Sequence, residues 1–226
     1  QQNTSRIYDE VQTPEPGAQM QLDYGVVTLG ANQQFHFIAL LLRHSRMLFV
    51  KGQDHRFNAT ETCNAIYAFF MLLGGRVKEL VIDQDACLVY EEQYGEITTT
   101  RVFNDFLTEQ SLQLFVCRKA DPETKGAVEN TVKYVKQNYL PSRRDWSLQE
   151  LIDKLPNWCR RKNNRIHPTE LWKIDTHFAE HEQNRLLPLQ PSQYDQVGSA
   201  RVTVSVTKTR QARYRTNRYT LPRDYR

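Results

Sequence analysis

Apolar residues along this chain cluster first in short runs with strand spacing and later in stripes with helix spacing. Met20 to Leu29 is rich in β-branched and aromatic residues, and Phe35 to Arg43 and Met47 to Lys51 are further apolar runs. The intervals between these runs are too short for a helix, so the pattern predicts three antiparallel strands in succession. Asn58 opens a predicted helix, because its side chain can cap the backbone while Glu61, three residues on, completes a capping box. Ile66, Phe69, Phe70 and Leu73 form the apolar stripe of that helix, and Gly74-Gly75 ends it. Leu80-Val81-Ile82 reads as a short strand buried on both faces, as in parallel sheets. Val102 to Glu109 reads as a short helix and Leu112 to Val116 as another buried strand. The order βββ-α-β-α-β-α predicts an α/β fold: a mixed five-stranded sheet with helices on both faces.

The second half of the chain has helical spacing. Asp121-Pro122 starts a helix predicted to run from Glu123 to about Asn138, with Pro at its first position. Ser147 to about Lys162 follows, with Leu148, Leu151, Leu155 and Trp158 on one stripe. Pro156 inside that stripe is expected to kink or split the helix. A third helix is expected from about Asp175 to Leu186. Val202 to Val206 and Tyr214 to Leu221 alternate like strands of a small basic sheet or barrel. The resulting division is a linker at 1–18 containing Thr13-Pro-Glu-Pro-Gly17, a core at 19–140, a helical extension at 141–195 and a partial β-barrel at 196–226.

Charge is unevenly distributed. The net charge is +4, yet residues 1–110 hold 8 Lys and Arg against 14 Asp and Glu, while 111–226 hold 22 against 12. An acidic half with clustered carboxylates followed by a basic half suits a protein that grips a polyanion and cuts it; a solvated basic face is the plain alternative. No apolar run approaches the ~20 residues needed to span a membrane, and no membrane association is expected. The start carries no signal-peptide pattern. With no initiator Met and a basic strand-like run up to Arg226, the chain reads as an excised fragment. Cys63, Cys87, Cys117 and Cys159 are too widely spaced for a zinc ribbon and suit reduced, packed thiols of a cytoplasmic protein.

Three acids stand apart from the rest. Asp23 lies in an apolar strand, Asp83 ends the buried run 80–82, and Glu129 lies on the helix after the last core strand. A carboxylate in or at the end of a buried strand is costly unless paired or bound to metal. Were the three gathered, each close pair at ~4 Å would repel by roughly 4 kcal/mol at an effective dielectric of 20. Divalent cations remove that penalty, and oxygen-only ligands favour Mg²⁺ or Mn²⁺ over zinc. Spacing alone equally allows three unrelated surface acids. On the Glu129 helix, Val128, Val132, Val135 and Tyr139 form the apolar stripe. Lys125, Glu129, Lys133 and Lys136 form the neighbouring one, either a phosphate track beside a metal ligand or a solvated Glu–Lys ladder. His177-x-x-Glu180-His181 fits a zinc-protease pattern but lacks a clear third ligand, so an exposed helical face is the expected reading.

The blocks Gln21-Leu-Asp-Tyr-Gly25, Val81-Ile-Asp-Gln84 and Asp121-Pro-Glu-Thr-Lys-Gly-Ala-Val-Glu-Asn130 together resemble the IstA-type transposases of bacterial insertion sequences. That family lies within the wider group sharing the retroviral-integrase catalytic core. The resemblance continues through Val132-Lys-Tyr-Val135, Trp158 and Asn164-Arg-Ile-His-Pro-Thr169 to Tyr214-Arg-Thr-Asn-Arg-Tyr-Thr-Leu-Pro222, which looks like the opening of a carboxyl-terminal barrel. It implies a ribonuclease H-like fold with an Asp-Asp-Glu triad at Asp23, Asp83 and Glu129, holding two Mg²⁺ or Mn²⁺ ions. Asp85 is the rival for the second position; Glu123 is less favoured than Glu129, since an acid in a first helical turn is explained by the helix dipole. Between Asp83 and Glu129 lie 45 residues, more than in retroviral integrases, which places an insertion around Tyr90 to Thr100. The implied activity is cleavage at transposon ends and transfer of the 3′-OH ends into target DNA. A nuclease that cleaves without joining, and a non-catalytic DNA-binding protein on the same fold, are the alternatives. Expected phosphate contacts are Lys125, Lys133, Lys136, Arg143, Arg144, Arg161, Arg165, Arg213, Arg215 and Arg218, with Arg160 and Lys162 extending the track. The resemblance further implies a bacterial cytoplasmic setting, a homo-oligomer on paired DNA ends, an amino-terminal module that reads those ends and a separate AAA+ ATPase helper.

Overall fold

A computed structural model of the chain describes residues 13–29, 33–83, 88–93, 96–117, 131–140, 146–195, 207, 211–214 and 217–220. Three strands open it: β1 (Gln19–Thr28), β2 (Gln34–Leu42) and β3 (Leu48–Gln53). Helix α1 (Ala59–Leu73) crosses to β4 (Glu79–Asp83), and α2 (Arg101–Glu109) leads to β7 (Gln113–Cys117). Between β4 and α2 lies a hairpin of β5 (Val89–Gln93) and β6 (Glu96–Thr99). The five-stranded sheet has the order β3-β2-β1-β4-β7. β1 pairs antiparallel with β2, and β2 with β3, whereas β1–β4 and β4–β7 are parallel. The mixed five-stranded sheet read from the sequence is thus present.

Strand alternation sorts the side chains onto two faces. Met20, Leu22, Ile38, Leu40, Leu80 and Ile82 meet the α1 stripe of Ile66, Phe69, Phe70 and Leu73, together with Phe103 and Phe106 of α2. On the other face, Phe35, Phe37, Ala39, Leu48 and Val50 meet Val135 and Tyr139, which belong to helical residues 131–138 (α3) and the turn after them. Leu148, Leu151, Leu155 and Trp158 of α4 (Leu148–Asn163) complete that second core. Helices therefore cover both faces.

Local chemistry fixes the helix ends. The Asn58 side chain accepts from Glu61 N while Glu61 bonds back to Asn58 N, and Gly74 closes α1 at φ 81°. Ser147 and Glu150 repeat the capping box on α4. Of the two outcomes expected at Pro156, the split does not occur: α4 runs as one 16-residue helix. An interior proline costs about 3 kcal/mol. Four buried apolar side chains, at roughly 1.5–3 kcal/mol each, outweigh it, and Pro156 itself is on the exposed side.

Three other departures are found toward the edges of the fold. β7 was expected to be buried, yet it is an edge strand, and Gln113 and Phe115 are exposed. The helix expected from Asp175 to Leu186 is a continuous stretch of changing pitch: α5 (Ile174–His177), a π-turn (Phe178–Glu182) and a 3-10 turn (Gln183–Arg185). Tyr214 to Leu221 is not one strand: β8 (Gln211–Tyr214) folds back on β9 (Asn217–Thr220). Residues 202–206 and 123–130 lie outside the described residues. Cys63, Cys117 and Cys159 are buried and form no disulfide, and burial pushes Cys63 and Cys159 up to about 12; Cys87 lies outside the described residues.

Two polar clips fasten the helices to the sheet. The Asn163 amide accepts from Leu48 N at 3.0 Å and donates to Leu48 O at 2.8 Å, so it pairs with edge strand β3 as another strand would. The fully buried Glu182 carboxylate accepts from Gly17 N at 3.0 Å and Ser45 N at 3.1 Å. Beside the first clip, Lys162 turns inward and its Nζ donates to Arg46 O at 3.3 Å. Burial depresses its pKa to about 8.

Gly25 lies opposite Phe37, and a Cβ there would come within 2.1 Å of the Phe37 ring. Gly25→Ala is expected to lower stability by about 1–3 kcal/mol through overpacking, read as a lower urea midpoint. For Lys162, the unfolded chain binds the proton more tightly than the folded one. Stability therefore rises with pH from about 8 to the ordinary lysine value near 10.4. Lys162→Met should be more stable than the parent at neutral pH and lose that advantage above about pH 10, checked by urea melts across this range.

Candidate active site

The geometry of the site follows from one register. In the parallel pair, Gln19 faces Glu79 and each successive residue keeps step up to Leu22 opposite Ile82. Asp23 and Asp83 are the next residues on their strands, so their backbones lie about 4.8 Å apart and their side chains leave the same face of the sheet. Asp23 is opposite Ala39 on β2, and Asp83 is opposite Cys117 on β7. The two acids are thus flanked across the sheet by small side chains, which leave room above them. Both are half-buried, and the Tyr24 backbone N–H donates to Asp23 Oδ1 at 2.8 Å. At ~5 Å and an effective dielectric of 20, two such carboxylates repel by roughly 3 kcal/mol.

The acids face the layer made by α3 and α4. Val135 and Tyr139 pack on that face, and Thr131, the first described residue of α3, is buried. Glu129 precedes Thr131 by two positions and lies outside the described residues, as do Asp85, Lys125, Arg143, Arg144 and Arg215. Among the described residues, no three His, Cys, Asp or Glu side chains gather closely enough to hold a metal ion.

Of the expected phosphate contacts, Lys133 and Lys136 are exposed on α3, and Arg161 and Arg165 are exposed at the end of α4. Arg160 is exposed with Nη2 donating to Asn157 Oδ1 at 2.6 Å. Lys162 is not part of this surface, because it braces the β2–β3 turn. Arg213 and Arg218 are register partners across the β8–β9 hairpin. In the His-x-x-Glu-His pattern Glu180 and His181 are exposed, as expected, while the His177 ring stacks on Trp172 at 3.9 Å and its Nε2 lies 3.3 Å from Nε2 of His44.

Sequence reasoning missed a cleft of about 280 Å³ on the α1 side of β1, lined by Tyr24, Val26, Gln34, His36, Arg56 and Phe57 among others. Tyr24, one residue from Asp23, reaches Thr62 of α1 through a 2.8 Å hydroxyl–hydroxyl hydrogen bond. Burial and the neighbouring Arg56 hold His36 below its ordinary pKa. At the rim, hydrogen bonds to Glu61 and Asp54 raise that of His55. These residues are scattered over two strands and a loop, so only the aromatic Tyr24 and Phe57 gave any signal.

No protein-family model matches the chain. It is 34% identical over 96% of its length to a transposase for an IS21-like insertion sequence element of Bacteroides fragilis, covering 42% of that protein. It is 24% identical over 83% of its length to the IS21 transposase of Pseudomonas aeruginosa, covering 45% of it. The chain therefore spans less than half the length of these relatives. Among solved structures, it superposes on a chain of a simian T-cell lymphotropic virus intasome with a TM-score of 0.58 at 14% identity, covering 82% of this chain and 64% of that one. The HTLV-2 integrase catalytic core domain, determined with magnesium, matches with a TM-score of 0.55 at 15% identity, covering 73% of this chain and 98% of that one. Over almost its whole length the chain is homologous to transposases of the IS21 family, and its fold is the ribonuclease H-like fold of a retroviral integrase catalytic core.

Proposed function

We propose that this chain is the catalytic part of a DNA transposase that cleaves at transposon ends and joins the 3′-OH ends to target DNA by metal-dependent phosphoryl transfer. The observation that carries this reading is the parallel β1–β4 register, which sets Asp23 beside Asp83 on one face. Homology to insertion-sequence transposases supports it. Glu129, two positions before the first described residue of α3, is the third carboxylate of this reading. Asp83 is preferred to Asp85 because it continues the register beside Asp23.

The donor set fits hard divalent cations: oxygen ligands on adjacent strands, half-open to solvent, whose mutual repulsion a cation removes. Asp23, Asp83 and Glu129 would hold Mg²⁺ or Mn²⁺, two ions in the full site. Bound there, such ions supply Lewis acidity toward the attacking and leaving oxygens of an in-line displacement. The chain's own part is to fix the carboxylates on rigid strands and to seat the DNA backbone. Lys133, Lys136, Arg161 and Arg165 serve that seating, with Lys125, Arg143 and Arg144 extending it and Arg213, Arg215 and Arg218 of the carboxyl-terminal segment gripping DNA further along. Such contacts position the duplex without reading its sequence. The proposal includes assembly as a homo-oligomer on paired ends and a separate ATPase helper. The divisions at 19–140, 141–195 and 196–226 then correspond to chemistry, positioning and grip.

Asp83→Asn is expected to reduce joining of a pre-cut 3′-OH end by about a thousandfold or more while leaving DNA binding within about threefold. Full joining in that variant, with Asp85→Asn inactive, moves the second carboxylate to Asp85; cleaved but never joined product in the parent identifies a nuclease. DNA binding should also weaken steeply with salt. Neutralising Lys133, Lys136, Arg161 and Arg165 singly should each lower the slope of log K against log salt by about 1. A slope that ignores all four would remove them from the interface.

A further inference from the structure

Residues 165–173 form a braced loop between α4 and α5. Ile166 bridges Lys173 in an antiparallel pair, and His167 N, Leu171 N and Ile174 N donate to Trp172 O, His167 O and Arg165 O at 2.8, 2.9 and 3.1 Å. Glu170 N donates to His167 Nδ1, and the Glu170 carboxylate is held by Arg46 at 2.8 Å. Trp172 anchors the root by lying flat on His177. These contacts hold the shape of the loop.

What the loop presents is apolar. Ile166 and Leu171 flank the turn 167–170 and are 66% and 76% exposed, the most exposed large hydrophobic side chains among the described residues. Leu171 has φ 60°, a left-handed conformation in which a branched side chain is strained. The bracing therefore overrides a local preference while leaving an apolar side chain in water. Strain kept at a solvent-exposed residue is a mark of a contact site.

The surroundings select the partner. Arg160, Arg161 and Arg165 are exposed within the six residues before Ile166, and Lys173 is exposed two residues after Leu171. Lys173 lies 3.4 Å from Asp175, and the sole acid of the loop, Glu170, is already committed to Arg46. An apolar pair whose preceding segment carries the exposed Arg160, Arg161 and Arg165 matches duplex DNA, where backbone phosphates meet the cations and an apolar wedge enters between base pairs. Ile and Leu are among the residues that act as such wedges, unstacking one step and kinking the duplex. A rigid, preformed loop loses little freedom on insertion.

We infer that Ile166 and Leu171 are a DNA-kinking wedge, which bends the duplex gripped by this chain. The inference rests on the transposase reading, and the experiment keeps the two apart. Full-length protein is mixed with duplex DNA carrying an energy-transfer pair at its ends, and with the same duplex containing one mismatched step. The parent protein should bring the ends together and bind the mismatched duplex about tenfold more tightly, because the mismatch has already lowered the unstacking cost. The double variant Ile166→Ala/Leu171→Ala should bend less and lose that preference, with an unchanged salt slope. Leu171→Gly, which relieves the strain while removing the side chain, should shift both readouts the same way. Leu72→Ala, altering a similarly exposed leucine on α1, should behave as the parent. Unchanged bending in the double variant overturns the wedge. So does loss of self-association in DNA-free protein, measured by light scattering with bending intact, which assigns the two side chains to a protein contact. A parent protein that joins DNA without bending it overturns the wedge and leaves the transposase reading standing; one that binds no DNA overturns both.

Discussion

Two carboxylates at matching positions on neighbouring parallel strands are the constraint on which the rest of the molecule depends. Parallel neighbours cannot be joined by a tight turn, so the chain must leave β1, cross a face of the sheet and return in the same direction. Helix α1 is that crossing, and its apolar stripe supplies the first core. Once β1 and β4 lie side by side with Leu22 opposite Ile82, the positions of Asp23 and Asp83 follow without further adjustment. The repulsion between them, roughly 3 kcal/mol, is small against the apolar burial of the sheet that holds them. The fold can therefore sustain an arrangement that is unfavourable by itself.

Apolar contact holds both layers, and buried amides fasten two of the helix ends: Gln110 after α2 pairs with the backbone of Gln190, and Asn163 at the end of α4 pairs with the sheet. Asn163 satisfies both backbone groups of Leu48 on the outermost strand, covering an edge that would otherwise be open to pairing with another chain. Such bonds have strict geometry and a high cost when broken, so they set where α4 lies along the sheet more sharply than leucines can.

Local signals were legible in the sequence, and signals that depend on neighbours were not. The Asn58–Glu61 and Gly74 boundaries of α1 could be read because capping is decided within a few residues. Alternation in β1 and β2, and the continuous run of β4, gave the correct strands and drew attention to Asp23 and Asp83 on them. The exposure of Phe115 was not legible, since an apolar run looks the same at the edge of a sheet as at its centre. Nor was the β5–β6 hairpin, found where 45 intervening residues only suggested an insertion. Continuity through Pro156 depended on burial elsewhere along the same helix. Lys162, read as one more basic residue, turned inward because a carbonyl of a distant turn was in reach. The cleft beside Tyr24 draws on separate strands and a loop, and no short motif encodes it.

Glu182 has a mechanical consequence. By accepting from Gly17 and Ser45 together, one carboxylate ties the tail-side helical stretch to the foot of β1 and to the neighbouring β2–β3 turn. A tug on the residues beyond the 3-10 turn is met by the backbone pair Arg76–Leu187 just before β4 and by Glu182 at the foot of β1, at the ends of these strands away from Asp83 and Thr28. The load is borne below the acids, and the spacing of Asp23 and Asp83 is insulated from it.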